Sequence, residues 1–136
     1  MFANCPLLWA SKLQTEVALS TTEAEYIALS QAMRDLIPLQ ALLQDITSVT
    51  KITIDNSTTY STVFEDNKSC VELIKAPKMN PRTRHIAIKY HHFREHVRQG
   101  FIQIQWIDTA RQIADIFTKP LAESKFTFLH ERLLGW

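Results

Sequence analysis

The chain has 136 residues, 46% of them hydrophobic, which suits one domain with a real core, and no apolar run approaches the roughly 20 residues of a membrane span. Its formal net charge of +1 gives no overall argument for a nucleic-acid or membrane partner. The two cysteines, Cys5 and Cys70, form no C-x-x-C pair, which argues against a disulfide framework or a cysteine zinc site. This cysteine usage indicates a reduced, intracellular protein. The chain has two glycines in total, which excludes a glycine-rich loop that binds phosphate.

The first predicted elements are two antiparallel strands. Leu7–Ser11 and Thr15–Leu19 have the composition of strands, and Lys12–Gln14 supplies a short turn between them. A two-stranded ribbon packed on a long helix is a poor core by itself. The pattern is therefore that of a domain that starts late.

A long helix is predicted next, from Thr22 to Asp45, because apolar residues recur at helical spacing. Pro38 removes a backbone hydrogen bond, so we expect the helix to bend near Ile37 or to divide there. Glu25 shares a face with Ala28, Leu29, Ala32 and Leu36, which predicts that it heads the buried stripe. Glu23 shares the other face with Tyr26, Ser30 and Arg34, which predicts a solvated side.

Two helix starts remain open, and they give the two glutamates different roles. If Ser20 is the N-cap, Glu23 completes a capping box and Glu25 has another purpose. If Thr22 is the N-cap, Glu25 is the capping partner. A carboxylate at the head of a buried stripe is costly unless a metal ion or a donor cluster meets it, which makes Glu25 a candidate site residue.

The middle of the chain predicts strand and helix in alternation. Lys51–Ser61 has the composition of a surface connection, Thr62–Glu65 is a short strand, and Asp66–Ser69 opens a helix that continues through Ile74. Lys75–Arg98 holds seven of the fifteen Lys and Arg residues and one acid, Glu95. Within this basic segment a helix is predicted from Thr83 or Arg84 through Val97, ended by Gly100.

The last part predicts one strand and two helices. Phe101–Ile107 alternates like a half-buried strand. Thr109 and Gln112 have capping-box spacing for a short helix that Pro120 stops, and Ser124–Leu134 is predicted as a terminal helix with Gly135 as its C-cap. The order of elements predicts a single α/β domain with a mixed sheet, with its core over residues 7–120 and the C-terminal helix over 121–136.

Three carboxylates stand at element ends of the kind that converge in α/β sheets: Glu25, Asp66 and Asp115. Oxygen ligands of this type hold Mg²⁺ or Mn²⁺, and paired ions can support phosphodiester cleavage. Each acid also has a plain structural interpretation. Asp66 has the position of an ordinary N-cap, and Asp115 lies four residues from both Arg111 and Lys119, as in a surface ion-pair ladder.

The basic segment has two interpretations as well. Nucleic-acid phosphates could be contacted, without reading of base sequence, by Lys78, Arg82, Arg84, Lys89, Arg94 and Arg98, or these cations could form a solvated helix face. His92 and His96 are four residues apart, which is a weak pattern for zinc. Phe93 and Tyr90 are predicted to belong to the core rather than to stack on bases.

Four blocks of sequence resemble, in order and spacing, the ribonuclease H domain at the end of copia-type retrotransposon polyproteins. The resemblance covers about Leu7 to Gly135 and is carried by Ala18–Leu29, Glu65–Ser69, Arg82–Ile86 with His91–Glu95, and Ala114–Leu121. It implies a ribonuclease H-like fold, N-terminally truncated. It also implies two-metal cleavage of the RNA strand of an RNA–DNA hybrid with Mg²⁺ or Mn²⁺.

By motif match, the resemblance makes Glu25, Asp66 and Asp115 the catalytic and metal-binding residues. The residues expected to bind the hybrid are Lys78, Arg82, Arg84, His85, Lys89 and Arg94. The expected partners are the RNA–DNA hybrid and the reverse transcriptase and integrase parts of the parent polyprotein. The expected location of the protein is a cytoplasmic particle or the nucleus.

The chain departs from the family pattern at one point. The family's first catalytic aspartate lies on a strand before the hairpin, and this sequence begins after it. Without that metal ligand we expect activity to fall by orders of magnitude, each factor of ten being about 1.4 kcal/mol of barrier. The alternative is a non-catalytic retroelement remnant that binds nucleic acid.

Overall fold

The computed structural model describes residues 6–50, 60–76 and 91–135. The chain divides into two compact units. The larger covers residues 16–106, and the smaller combines residues 1–15 with 107–136. No helix among the described residues is long and apolar enough to cross a membrane.

The larger unit is built on a long helix, α1, and a two-stranded sheet. Its elements are α1 (Thr21–Thr50), β1 (Ser61–Glu65), α2 (Lys68–Lys75), α3 (Arg94–Arg98) and β2 (Ile102–Trp106). β1 and β2 pair in parallel, with Ser61 opposite Ile102 and Glu65 opposite Trp106. The carboxyl ends of both strands therefore lie at the same edge of the sheet.

The core of this unit lies where α1, α2, Phe93 and β2 pack together. α1 contributes large side chains, of which Tyr26 and Met33 have no exposed surface. Ile102 and Ile104 of β2 are buried while Gln103 and Gln105 are exposed, which confirms the predicted alternation. The buried cluster is Tyr26, Ile27, Leu29, Met33, Cys70, Val71, Ile74, Phe93, Ile102 and Ile104.

α1 runs from Thr21 to Thr50 as one element that includes Pro38, so the alternative in which the helix divides is wrong, and the bend near Ile37 stays a prediction. The lost amide of Pro38 removes one backbone bond, but the turn that follows is tied to the sheet. Gln40 is buried, and its side-chain amide donates a hydrogen bond to the Phe101 carbonyl at 3.2 Å.

The prediction of which face of α1 is buried is wrong in part. Ala28 and Ala32 are exposed, whereas Tyr26, Ser30 and Met33 are buried. Alanine methyl groups gain little from leaving water, so the larger aromatic and thioether side chains decide the orientation of the helix. Leu29 is buried as predicted, and Glu25 is half-buried.

The predicted N-terminal hairpin is also wrong. No strand occurs within residues 6–20, and Trp9, Leu13 and Val17 are largely exposed. A strand needs a hydrogen-bonded partner and a face to bury, and these side chains bury little. Most of the predicted connection Lys51–Ser61 and most of the helix predicted from Thr83 or Arg84 lie outside the described residues.

The smaller unit contains two 3₁₀ turns and a terminal helix. The turns span Thr109–Arg111 and Ile113–Phe117, and helix α4 spans Glu123–Leu134. Asp108, not Thr109, caps the first turn by accepting a hydrogen bond from the Ala110 amide at 2.8 Å. α4 matches the prediction within one residue, and Gly135 ends it with a left-handed φ of 83°, which glycine adopts without strain.

Ser20 caps α1, which settles the two alternatives for the helix start. Its Oγ accepts a hydrogen bond from the Glu23 amide at 3.1 Å, and Glu23 Oε2 accepts one from the Leu19 amide at 2.9 Å. This reciprocal arrangement is a variant of the capping box. It explains why Glu23 is buried rather than solvated, and it leaves the capping role with Glu23 and not Glu25.

Replacing the capping hydroxyl tests this assignment. Ser20→Ala should lower the free energy of unfolding by about 1 kcal/mol, because the Glu23 amide loses its acceptor. Thr22→Ala is the matched control, since Thr22 is the rejected cap, and we expect a change below about 0.5 kcal/mol. Urea unfolding followed by circular dichroism measures both, and a larger loss for Thr22→Ala would reverse the assignment.

Candidate active site at the carboxyl edge of the sheet

Three carboxyl groups gather in the larger unit where β1 ends. Glu65 is the last residue of β1, Asp66 follows it, and Glu25 projects from the second turn of α1. Burial is the main cause of the raised pKa of Glu65, and the charges of Glu25 and Asp66 add to it, so both acids lie within electrostatic reach of Glu65. The structure thus brings two of the three predicted site acids, Glu25 and Asp66, to one neighbourhood.

Glu65 is the residue that sequence reasoning missed as part of this site. It is 5% exposed, and one carboxylate oxygen accepts a hydrogen bond from the Asn67 amide at 3.0 Å. Burial raises the pKa of Glu65 to about 7; the Asn67 hydrogen bond opposes this, and the charges of Glu25 and Asp66 add to it. The available signal was the strand period, because Glu65 is in phase with Ser61 and Val63, which face inward.

Asp66 does not act as the cap of α2. That role belongs to Asn67, whose side-chain oxygen accepts a hydrogen bond from the Cys70 amide at 3.0 Å. The N-cap interpretation of Asp66 is therefore wrong, and its half-buried carboxylate remains a candidate ligand. The Asp66 carbonyl accepts a hydrogen bond from Trp106 Nε1 at 3.0 Å, which ties the ends of β1 and β2 together.

A buried thiol lies close to these acids. Cys70 has no exposed surface and is a free cysteine. Burial raises its pKa, and the charges of Glu65 and Glu25 raise it further. Its thiol is therefore held in the neutral, unreactive form.

Asp115 lies in the smaller unit, where it is 3% exposed. Lys119 and Lys125 place their ammonium nitrogens 2.8 and 2.9 Å from its two carboxylate oxygens. Burial by itself would raise the pKa of Asp115, but the hydrogen bonds and charges of the two lysines hold it below its ordinary value. The predicted ion pair with Lys119 is present, but Asp115 is buried rather than part of a surface ladder, and its second cation is Lys125 of α4 instead of Arg111.

The predicted nucleic-acid-binding residues Lys78, Arg82, Arg84, His85 and Lys89 lie outside the described residues. Arg94 is 6% exposed, and its guanidinium donates a hydrogen bond to the Ala76 carbonyl at the end of α2. In this structure Arg94 therefore serves the packing of α2 against α3. Phe93 is buried as predicted.

The chemistry of the donors suits a hard divalent cation only in part. Glu25 and Asp66 offer carboxylate oxygens of the kind that Mg²⁺ and Mn²⁺ prefer. No group of three or more His, Cys, Asp or Glu residues within 6–50, 60–76 and 91–135 is arranged to hold a metal ion. The convergence of Asp115 with Glu25 and Asp66 stays a prediction.

Sequence comparison shows which known proteins the chain is similar to. Over most of its length the chain is homologous to Pol and Gag-Pol polyproteins of retrotransposons. No family model matches the chain. No solved structure matches it either. These relatives support the predicted retroelement origin of the chain, and the ribonuclease H assignment stays a prediction.

The particular relatives come from plants and yeast. The chain is 35% identical over 130 residues to the Retrovirus-related Pol polyprotein from transposon TNT 1-94 of Nicotiana tabacum, covering 96% of this chain and 9% of that protein. It is 33% identical over 121 residues to the corresponding polyprotein from transposon RE1 of Arabidopsis thaliana, covering 89% and 8%. It is also 33% identical over 111 residues to the Transposon Ty1-DR1 Gag-Pol polyprotein of Saccharomyces cerevisiae, covering 81% and 6%. The chain thus spans less than a tenth of each of these curated relatives.

The pKa of Glu65 predicts how stability depends on pH. A carboxyl whose folded-state pKa is raised from 4.5 to about 7 contributes stability in full below about pH 4.5, and this contribution is lost as the pH rises to about 7. Glu65→Gln cannot ionise, so it should remove this decline and raise the free energy of unfolding at pH 8 by about 1–3 kcal/mol.

Urea unfolding at pH 5 and pH 8 in EDTA measures this effect. Glu72→Gln is the matched control, because Glu72 is an exposed acid on α2 and its loss should leave the decline in place. Equal pH dependence in Glu65→Gln and in the unaltered chain would contradict the predicted burial effect.

Proposed function

We propose that the chain is a ribonuclease H-type domain of a copia-type retrotransposon polyprotein and hydrolyses the RNA strand of RNA–DNA hybrids with Mg²⁺ or Mn²⁺. The observation that carries the proposal is the gathering of Glu25, Glu65 and Asp66 at the carboxyl edge of a parallel sheet. Ligand sites in open α/β sheets are found at this edge. The retrotransposon relatives and the matching sequence blocks support the same assignment.

In this proposal the residues of the chain have distinct roles. Glu25 and Asp66 would hold the divalent cation with their carboxylates, and Asp115 is added to the set by the sequence resemblance alone. A bound Mg²⁺ or Mn²⁺ would polarise the scissile phosphodiester and make its attacking water more acidic. Glu65 is buried beside Asp66 and anchored on the Asn67 amide, so it fixes the turn that presents Asp66.

A second candidate is a remnant that binds nucleic acid without cutting it. The observation that favours it is the state of Asp115, whose carboxylate is already bonded to Lys119 and Lys125. Two ammonium groups compensate its charge, so a cation at Asp115 has to compete with them. Both candidates predict hybrid binding, and they differ in cleavage.

A cleavage assay separates the two candidates. The chain is incubated with a hybrid labelled on its RNA strand, in Mg²⁺ or Mn²⁺, beside Glu25→Gln and Asp66→Asn. We expect RNA-strand products from the unaltered chain and at least a tenfold loss of rate in each variant, which is about 1.4 kcal/mol of barrier. Glu72→Gln, which changes an exposed acid away from the cluster, should keep the unaltered rate.

The variants also control for a contaminating nuclease, because all the proteins are purified in the same way. Equal product in every protein, or none in the unaltered chain, would contradict hydrolysis by this chain. Salt-sensitive binding of hybrid without product would favour the remnant.

The role of Asp115 is tested by a pair of substitutions that separate its carboxylate from its ion pairs. Asp115→Asn removes the charge, whereas Lys125→Met removes one partner and leaves the carboxylate. If Asp115 is a ligand, Asp115→Asn should abolish cleavage while Lys125→Met keeps most of it. Equal loss of cleavage and of thermal stability in both variants would show that Asp115 only anchors α4.

A further inference from the structure

An aromatic ring and a cation lie together beside the carboxylates. Trp106 ends β2 directly opposite Glu65, and its Nε1 is bonded to the Asp66 carbonyl at 3.0 Å. The ammonium nitrogen of Lys68 lies 4.5 Å from the centroid of the Trp106 ring. An ammonium group is thus held two residues along the chain from Asp66.

The fold gives little reason for this pair. Trp106 is 45% exposed and Lys68 is exposed, and neither belongs to the buried cluster. An exposed cation–π contact is a weak source of stability. What the contact does is restrict the long lysine side chain, which would otherwise sample many rotamers.

The charges at this edge explain what such a cation can do. Glu25, Glu65 and Asp66 repel a phosphodiester that approaches them, and a fixed positive charge next to them offsets the repulsion. Lysine binds phosphate as a compact point charge with three donors. The pair therefore suits a nucleic-acid backbone that passes the carboxylates.

We propose that Lys68 contacts a phosphate of the nucleic-acid strand that reaches Glu25 and Asp66, and that Trp106 is a positioning residue that acts through Lys68. This inference rests on the proposed function for the identity of the ligand. It assigns the strand's path across the carboxyl ends of β1 and β2, next to the first turn of α2.

The salt dependence of hybrid binding tests the phosphate contact. Binding of a fluorescently labelled RNA–DNA hybrid is measured in EDTA, which prevents metal-dependent cleavage, from about 50 to about 200 mM salt. Lys68→Gln should weaken binding severalfold and reduce the slope of log K against log salt by about one, because one phosphate contact is lost. Lys75→Gln is the matched control, since it removes the same charge from the other end of α2 and should keep the slope.

Two variants of Trp106 test the positioning role. Trp106→Phe keeps an aromatic face for the ammonium and should keep most of the slope. Trp106→Leu removes the ring and should show the slope of Lys68→Gln, and combining the two substitutions should add little, because both remove the same contact. Urea unfolding of each variant confirms that it is folded.

The outcomes separate this inference from the proposed function. Equal slopes for Lys68→Gln and Lys75→Gln, additive effects of Lys68→Gln and Trp106→Leu, or no binding of hybrid would overturn the phosphate contact. Binding through Lys68 without cleavage would contradict the proposed hydrolysis and leave the contact standing. Cleavage by the unaltered chain together with an unchanged slope in Lys68→Gln would contradict the phosphate contact and leave the proposed hydrolysis standing.

Discussion

The parallel pairing of β1 with β2 is the constraint on which the rest of the larger unit depends. Because the two strands run in the same direction with Glu65 opposite Trp106, both finish at one edge. An antiparallel pair would place these residues at opposite ends of the ladder. The hydrogen bond from Trp106 to the Asp66 carbonyl then closes this edge, and α1 delivers Glu25 to it through a helix start that Ser20 defines.

The elements that could be predicted from the sequence are those with a strong local signal. β1, α2, β2 and α4 were located within one or two residues, because the strand alternation, the Asn67 region and Gly135 are read from neighbouring residues alone. The prediction of a hairpin at residues 7–19 is wrong for the opposite reason. Its apolar content is typical of strands, but strand formation depends on a distant partner that local composition does not reveal.

The site residues likewise divide into those that the local sequence predicts and those that depend on tertiary packing. Asp66 and Glu25 can be selected from their places at element ends, whereas Glu65 has the position of an ordinary last residue of a strand and its burial follows from packing. The spacing of Ala28, Leu29, Ala32 and Leu36 predicts one orientation of α1, and the large side chains of Tyr26 and Met33 decide it instead. The second lysine on Asp115 comes from α4, ten residues away, a separation that no helical spacing rule reaches.

The buried thiol of Cys70 can be used to detect changes at the site. The side chain has no exposed surface and lies within the electrostatic reach of Glu65 and Glu25, so an alkylating reagent can meet it only after the packing between α1 and α2 loosens. The rate at which this sulfur is alkylated then measures how often the packing around Cys70 opens. A hybrid or a cation bound at the carboxyl edge of the sheet should slow this alkylation, so binding can be detected without any reaction of the nucleic acid.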